Sequence, residues 1–393
     1  MVSLFSKDIS KRIFWFILIS LILLRITMVL FAMQDIPPTG VTMDGWWFPH
    51  GGDEREYFNL AKSITELDLI QEKQTLGYPL FLAPFVYLAD AKTIKDIVQP
   101  LFIVQAIILF ALSIILVSLI AERIFQSRII GVISGGIFTL FPYLFYLLLY
   151  CLGSIYPQFT AYSLLQGPIE FISINWFLMI ADPLSAFLIF LCFYLFLKEL
   201  DKEKPRRSLL ILLGILSGFS VLVRIANILI VAIFALAWLL RKRIKEMFLA
   251  VIVPFLILLP QFIYNQKFFG SPITFGYQTY GDYSNIFGLF SFQRWLELYE
   301  TIYFKSPILI YLLPFLIIFL ALGARYLMKI NKIMAAVLIF WLLSFFIFYI
   351  SYAYVGEGGY LALRFFIPII PPFIFLSIAS FLHIFQWLKQ KHS

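Results

Sequence analysis

Residues His50 to Ile64 read HGGDEREYFNLAKSI, and two adjacent carboxylates, Asp53 and Glu54, stand at the head of this short amphipathic stretch. From Tyr57 the apolar positions Tyr57, Leu60, Ala61, Ile64 and Leu67 follow helical spacing, which predicts a helix able to lie along a membrane surface. A helix N-terminus keeps a carboxylate ionised and fixes its position, as a general base requires. The same residues allow a plainer role. Asp53 with Glu56 three positions on is a D-x-x-E capping box, in which the Asp53 carboxylate only satisfies backbone N–H groups. The two roles are compatible, because both need the same helix start.

Few basic residues are placed to meet an anion. Arg224 ends one apolar run and begins the next with no aqueous loop between them, and Arg364 lies where another run meets a loop. A guanidinium there can grip a phosphate through two parallel N–H bonds, or simply snorkel from a helix end. Arg25 falls inside the first apolar run and must pair or line a cavity. Glu357, in YVGEGGY, could assist at a site or belong to a plain glycine turn. His50, His383 and His392 form no metal-ligand cluster, and Cys151 and Cys192 lack paired spacing, so both cysteines read as packing residues. Trp46, Trp47 and Phe48 read as interfacial anchors.

The elements that position these groups are set by composition. The 393 residues are 62% hydrophobic, 19% aromatic and 13% charged, too apolar for a water-soluble fold. Apolar runs of about 20 residues recur without the alternating pattern of a membrane barrel, which predicts an all-α polytopic membrane protein. About ten spans are expected: Ile13 to Met33, Val98 to Ala121, Ile129 to Tyr150, Pro183 to Leu197, Leu209 to Val223, Ile225 to Leu240, Met247 to Tyr264, Ile308 to Leu322, Ile333 to Tyr352 and Phe365 to Leu388. The first reads as an uncleaved signal anchor, the chain as a single domain without a separate soluble part, and both termini as cytoplasmic. Of the 30 Lys and Arg residues, 19 then fall on the inner side, whereas most acidic residues fall outside. A basic inner face fits anionic membrane lipids and gives no reason to invoke nucleic acid. Gly77 to Asp90 is apolar but short for a span, and is expected as a juxtamembrane or re-entrant helix on the outer face.

The acidic pair after the first span, Tyr57 on the following helix and then GYPLFLAPFVYL resemble the first outer loop of the GT-C glycosyltransferases, membrane enzymes that use lipid-phosphate sugars. Within that superfamily the chain looks closest to bacterial relatives of protein O-mannosyltransferases and lipid A aminoarabinose transferases. ADPLSAFLIFLCFYLF (Ala181 to Phe196), GILSGFSVLVRIANILI (Gly214 to Ile230), YNQKFFGSPITFGY (Tyr264 to Tyr277) and GGYLALRFFIPIIPPF (Gly358 to Phe373) extend the match over nearly the whole chain. The Lys-Pro-Pro common in the aminoarabinose enzymes is replaced here by Leu76, Gly77, Tyr78 and Pro79.

The resemblance implies a bacterial or archaeal cell membrane, a polyprenyl-phosphate sugar donor and an extracytoplasmic acceptor. It makes Asp53 the catalytic base, Glu54 its partner in the acidic pair, Asp182 the acid of the second outer loop and Arg224 a ligand of the donor phosphate. Tyr57 and Glu357 are expected to support the site. A polyprenyl phosphate is a good leaving group, so the chemistry needs a base for the acceptor and cations for the departing phosphate, for which Arg224 and Arg364 are the best candidates. Asp53, Glu54 and Asp182 could hold Mg or Mn, which a single-phosphate leaving group does not require. Two alternatives remain open: a polymerase or ligase of lipid-linked glycans, and a transporter without covalent chemistry, which should carry its ionisable residues near mid-membrane.

Overall fold

A computed structural model describes residues 8–35, 53–155, 176, 179–279, 307–351 and 363–392. Every regular element among these residues is helical. Among the described residues six helices are long and apolar enough to cross a membrane, against the ten spans expected: Lys11–Leu30, Ile94–Phe125, Ala181–Leu200, Ile244–Phe269, Lys332–Ile350 and Arg364–Lys391. Gly77–Leu88, Arg128–Leu144, Arg207–Val223 and Ile225–Leu240 are shorter apolar helices. The chain is thus an α-helical protein with the elements of a multi-pass membrane protein.

The elements that matter below are α1 (Lys11–Asp35), α2 (Asp53–Thr65), α3 (Gly77–Leu88), α4 (Val98–Phe102), α5 (Phe110–Phe125) and α6 (Arg128–Ile155). After these come α7 (Ala181–Leu200), α8 (Arg207–Val223), α9 (Ile228–Leu240) and α10 (Ile244–Phe269). They are followed by α11 (Gly276–Thr279), α12 (Pro307–Ile330), α13 (Lys332–Ile350), α14 (Leu363–Phe366) and α15 (Ile370–His392). Helix α7 is the most deeply buried of the long helices. Its middle is wedged in aromatic rings, with Phe193 stacked on Trp341 at 3.6 Å and Phe196 on Phe234 at 4.4 Å. On α10, by contrast, Phe248, Phe255 and Ile263 are exposed, as a lipid-facing helix demands.

Two buried polar side chains inside the bundle meet partners locally. Arg25 is fully buried, and its guanidinium lies 3.9 Å from the Phe110 ring centroid and interacts electrostatically with Tyr143. That arrangement gives an intramembrane cation a π face and a polar neighbour. Between α4 and α5 the helix widens into a π segment, Ile103–Leu109, in which buried Gln105 accepts a 2.6 Å hydrogen bond from the Tyr78 hydroxyl.

One end of the bundle is tied by its basic residues. Asp8 accepts from the backbone N–H groups of Arg128 and Ile129 at the start of α6, Arg123 donates to the Leu197 carbonyl at 2.7 Å, and Arg241 pairs with Asp201 at 2.7 Å. At the other end, residues 66–76 run as a strap between α2 and α3. The Tyr264 hydroxyl, near the end of α10, accepts from Glu72 N–H at 2.9 Å and sits 3.0 Å from the Ile70 carbonyl. Leu76 N–H donates to Gln261 at 2.8 Å. Helix α3 then follows, 12 residues or about 18 Å long against the roughly 30 Å of a hydrocarbon core. It is among the shorter apolar helices, with Arg207–Val223 and Ile225–Leu240.

Gly77 begins α3 where it meets the end of α8, and a Cβ there would lie 2.2 Å from the Val223 nitrogen. Because the obstacle is backbone, it cannot rotate away. Gly77→Ala should therefore cost about 1–3 kcal/mol and lower the melting temperature in detergent, as overpacking does. Gly136→Ala, whose Cβ would meet only Leu21, at 3.9 Å, among the described residues, should leave it unchanged or raised. Equal melting temperatures for Gly77→Ala and wild type would show that α3 can move off α8.

Candidate functional site

Asp53 is the first residue of α2, so the preceding N-cap position falls on residue 52, outside the described residues. Its carboxylate and that of Glu56, three residues on and hence on the same helix face, grip the strap together. Lys73 Nζ stands 2.9 Å from Glu56 Oε1 and 3.5 Å from Asp53 Oδ1. Gln74 Nε2 donates to the same two carboxylates, at 3.0 Å and 3.3 Å. Partial burial opposes the Lys73 charge, but the Glu56 hydrogen bond and the fields of Asp53 and Glu56 outweigh it, and the ammonium is held above its ordinary 10.5.

The second half of the cluster comes from the far end of the chain. Arg364 lies in α14, a one-turn helix that gives way to a 3-10 turn, Ile367–Ile369, containing Pro368. Its Nη2 is 3.9 Å from Asp53 Oδ2 and its Nε is 3.9 Å from Asp182 Oδ2. Asp182, 7% exposed in the first turn of α7, also pairs with Arg224. Arg224 and Arg364 share one aromatic platform, lying 4.3 Å and 4.9 Å from the Phe365 ring centroid, and Phe365 is stacked on Tyr349 at 5.5 Å. Carboxylates and cations thus alternate along one connected line: Glu56 and Asp53 around Lys73, Arg364, Asp182, Arg224.

Arg224 owes its position to a break in the helix. Helix α8 stops at Val223, Arg224 is extended (φ −154°, ψ 118°), and a 3-10 turn, Ile225–Asn227, leads into α9. At the break Thr75 of the strap donates to the freed Val223 carbonyl at 3.2 Å, while Ser220 O keeps its helical bond from Arg224 N–H at 3.0 Å and also accepts from the Asn227 amide at 2.9 Å.

Of the residues predicted from sequence, Asp53, Asp182, Arg224 and Arg364 come together. Glu54 does not join them. It points to the buried side of α2 at 5% exposure, and its Oε2 has no hydrogen-bond partner among the described residues. Tyr57 packs edge-on against Tyr78 at 4.8 Å and so supports the α2–α3 contact. Asp53, Glu54 and Asp182 are not gathered as one metal-ligand set, and no group of three His, Cys, Asp or Glu placed for a metal ion occurs among the described residues. Glu357, His50, Trp46, Trp47 and Phe48 lie outside them. Both cysteines are free. Sequence reasoning missed Lys73, Gln74 and Phe365, and it gave Glu56 only a capping role. The one signal for Lys73 was a lone basic residue four positions ahead of Gly77. The chain matches no family model, no curated protein and no solved structure.

Glu72, beside Lys73 on the strap, tests how this region responds to charge. Partial burial raises its carboxyl above 4.5, helped by the charge of Glu56 and opposed by the Asn59 hydrogen bond and Lys73. A raised folded-state value means the group favours the fold below pH 4.5 and loses that contribution as pH rises. Glu72→Gln, which can still accept from Asn59, should therefore raise the melting temperature at pH 7, by an amount that shrinks as the pH approaches 4.5. A pH-independent difference in thermal scans would mean that the Glu72 charge is not what strains the strap.

Proposed function

We propose that this chain is a GT-C type glycosyltransferase that moves one sugar, with inversion, from a polyprenyl-phosphate donor to an acceptor hydroxyl on the extracytoplasmic side. The observation that carries this reading is the convergence of Asp53, Asp182, Arg224 and Arg364, from four distant parts of an apolar chain, into one alternating charge line at one end of the bundle. Lys73 adds a third cation beside the base. A transporter would also place ionisable groups in broken helices, as Arg224 stands in the α8–α9 break, but the pairing of that cation line with Asp53 at the start of a polar surface helix favours transfer chemistry.

Charge accounting explains why acids and bases alternate. As it stands, the line holds three carboxylates and three cations. A polyprenyl-phosphate sugar carries one negative charge as a diester, whereas the departing polyprenyl phosphate carries about two. The acceptor oxygen attacks the anomeric carbon from the face opposite the phosphate. The bond from that carbon to the phosphate oxygen breaks, its electron pair leaves with the phosphate, and the hydroxyl proton passes to Asp53. Protonation removes the Asp53 charge at the moment the phosphate gains one. Arg364 and Lys73, no longer offset by the Asp53 charge, then leave the site more positive, so its attraction for the departing phosphate is greatest where it lowers the barrier. Asp182 keeps Arg224 and Arg364 apart and oriented while the site is empty.

Asp53→Asn preserves shape and hydrogen bonding but cannot take the proton, so a folded protein should lose transfer by roughly 10²–10⁴-fold. Turnover of a labelled polyprenyl-phosphate sugar by purified protein in vesicles measures this, and near wild-type turnover would remove Asp53 as the base. Sidedness is checked separately: an impermeant thiol reagent applied to intact cells should label a cysteine at exposed Leu67 but not one at exposed Glu203. The reverse pattern would put the charge line on the cytoplasmic side and contradict an extracytoplasmic reaction.

A further inference from the structure

Ser185 lies on α7 three residues beyond Asp182, one turn further along the same face. Asn227 lies three residues beyond Arg224, at the end of a 3-10 turn that brings positions i and i+3 onto one side. Helix α7 and the break after α8 therefore meet through two parallel rungs. The upper rung is the ion pair of Asp182 and Arg224. The lower rung is neutral: Asn227 Nδ2 donates to Ser185 Oγ at 2.8 Å, and the Ser185 hydroxyl lies 3.2 Å from Asn227 Oδ1. The same Nδ2 is 2.9 Å from the Ser220 carbonyl and 2.8 Å from its hydroxyl, so one amide links α7, the last turn of α8 and the break. Asn227 and Ser220 are 0% exposed and Ser185 1%.

The division of labour follows from burial and charge. An incoming anion competes with Asp182 for Arg224, so the upper rung cannot by itself keep the two elements in register. The lower rung can, because it holds no ionisable group and is shut off from solvent. We infer that Asn227 is a positioning residue: through Ser185 and Ser220 it fixes the Arg224 break against α7, and so sets how tightly Arg224 engages an anionic donor. The inference rests on the proposed role of Arg224 as a ligand of the donor phosphate.

The test uses Ser185→Ala, which removes only the link to α7, and Asn227→Ala, each alone and combined with Arg224→Ala in the full chain. Loss of a neutral hydrogen bond corresponds to about 2- to 10-fold. Ser185→Ala should raise the donor KM by about that factor with kcat and acceptor KM unchanged, and Asn227→Ala should raise it further. In the Arg224→Ala background neither should have any further effect, a non-additivity that general destabilisation would not produce. Additive losses, or an unchanged donor KM in a folded Ser185→Ala protein, would overturn the inference. Should Asn227→Ala not fold, Ser185→Ala decides. Should wild-type protein use no lipid-phosphate donor at all, the glycosyl-transfer reading fails separately. The ladder is then judged by hydrogen exchange of the backbone amides of residues 224–228, where faster exchange in Ser185→Ala supports it and identical exchange overturns it.

Discussion

Arg364 stands between two carboxylates that reach it from opposite parts of the chain, 3.9 Å from Asp53 at the start of α2 and 3.9 Å from Asp182 at the start of α7. Asp182 and Arg364 are both more than nine-tenths buried, and groups so placed surrender most of their hydration. Removing one partner from such a pair typically costs about 3–5 kcal/mol, because the other charge is left stranded. The charges therefore constrain the backbone around them: α2, α7, the α8–α9 break and α14 must all bring their ends to one place. As a source of net stability such a line is poor, since apolar residues of similar volume would do as well. Its presence in so apolar a chain is what the proposed glycosyl transfer would account for.

The elements that meet there are irregular where they meet. Helix α8 stops at Arg224, α14 yields to a 3-10 turn, and residues 66–76 form no regular helix. Irregular backbone inside an apolar bundle is tolerated only when its N–H and C=O groups find partners. Here Thr75, Tyr264, Gln261 and Asn227 supply them, each from a side chain buried or nearly so. The strap that carries Lys73 and Gln74 is thus held to α8 and α10, and Gly77 lets α3 approach the α8 backbone closely enough to complete the fit. The distances between Asp53 and its cations are set by these neutral hydrogen bonds as much as by the charges themselves.

The sequence by itself determined the helical class, the amphipathic helix opening at Asp53, the short apolar helix at Gly77 and the placement of Arg224 between two apolar runs. Each of these depends only on periodicity or on residues adjacent in the chain. It also held a clue that adjacency obscured: successive helical residues point about 100° apart, so Asp53 shares its face with Glu56 while Glu54 turns inward. Tertiary structure alone decided that Arg364 bridges Asp53 and Asp182, that Phe365 carries both guanidinia, and that Lys73 and Gln74 belong to the site. The strap has no hydrophobic period, and its position is fixed by bonds such as Glu72 to Tyr264 and Thr75 to Val223, which join residues 192 and 148 positions apart. No local pattern encodes such pairings, because they form only when separate helices pack and their unsatisfied polar groups must find one another.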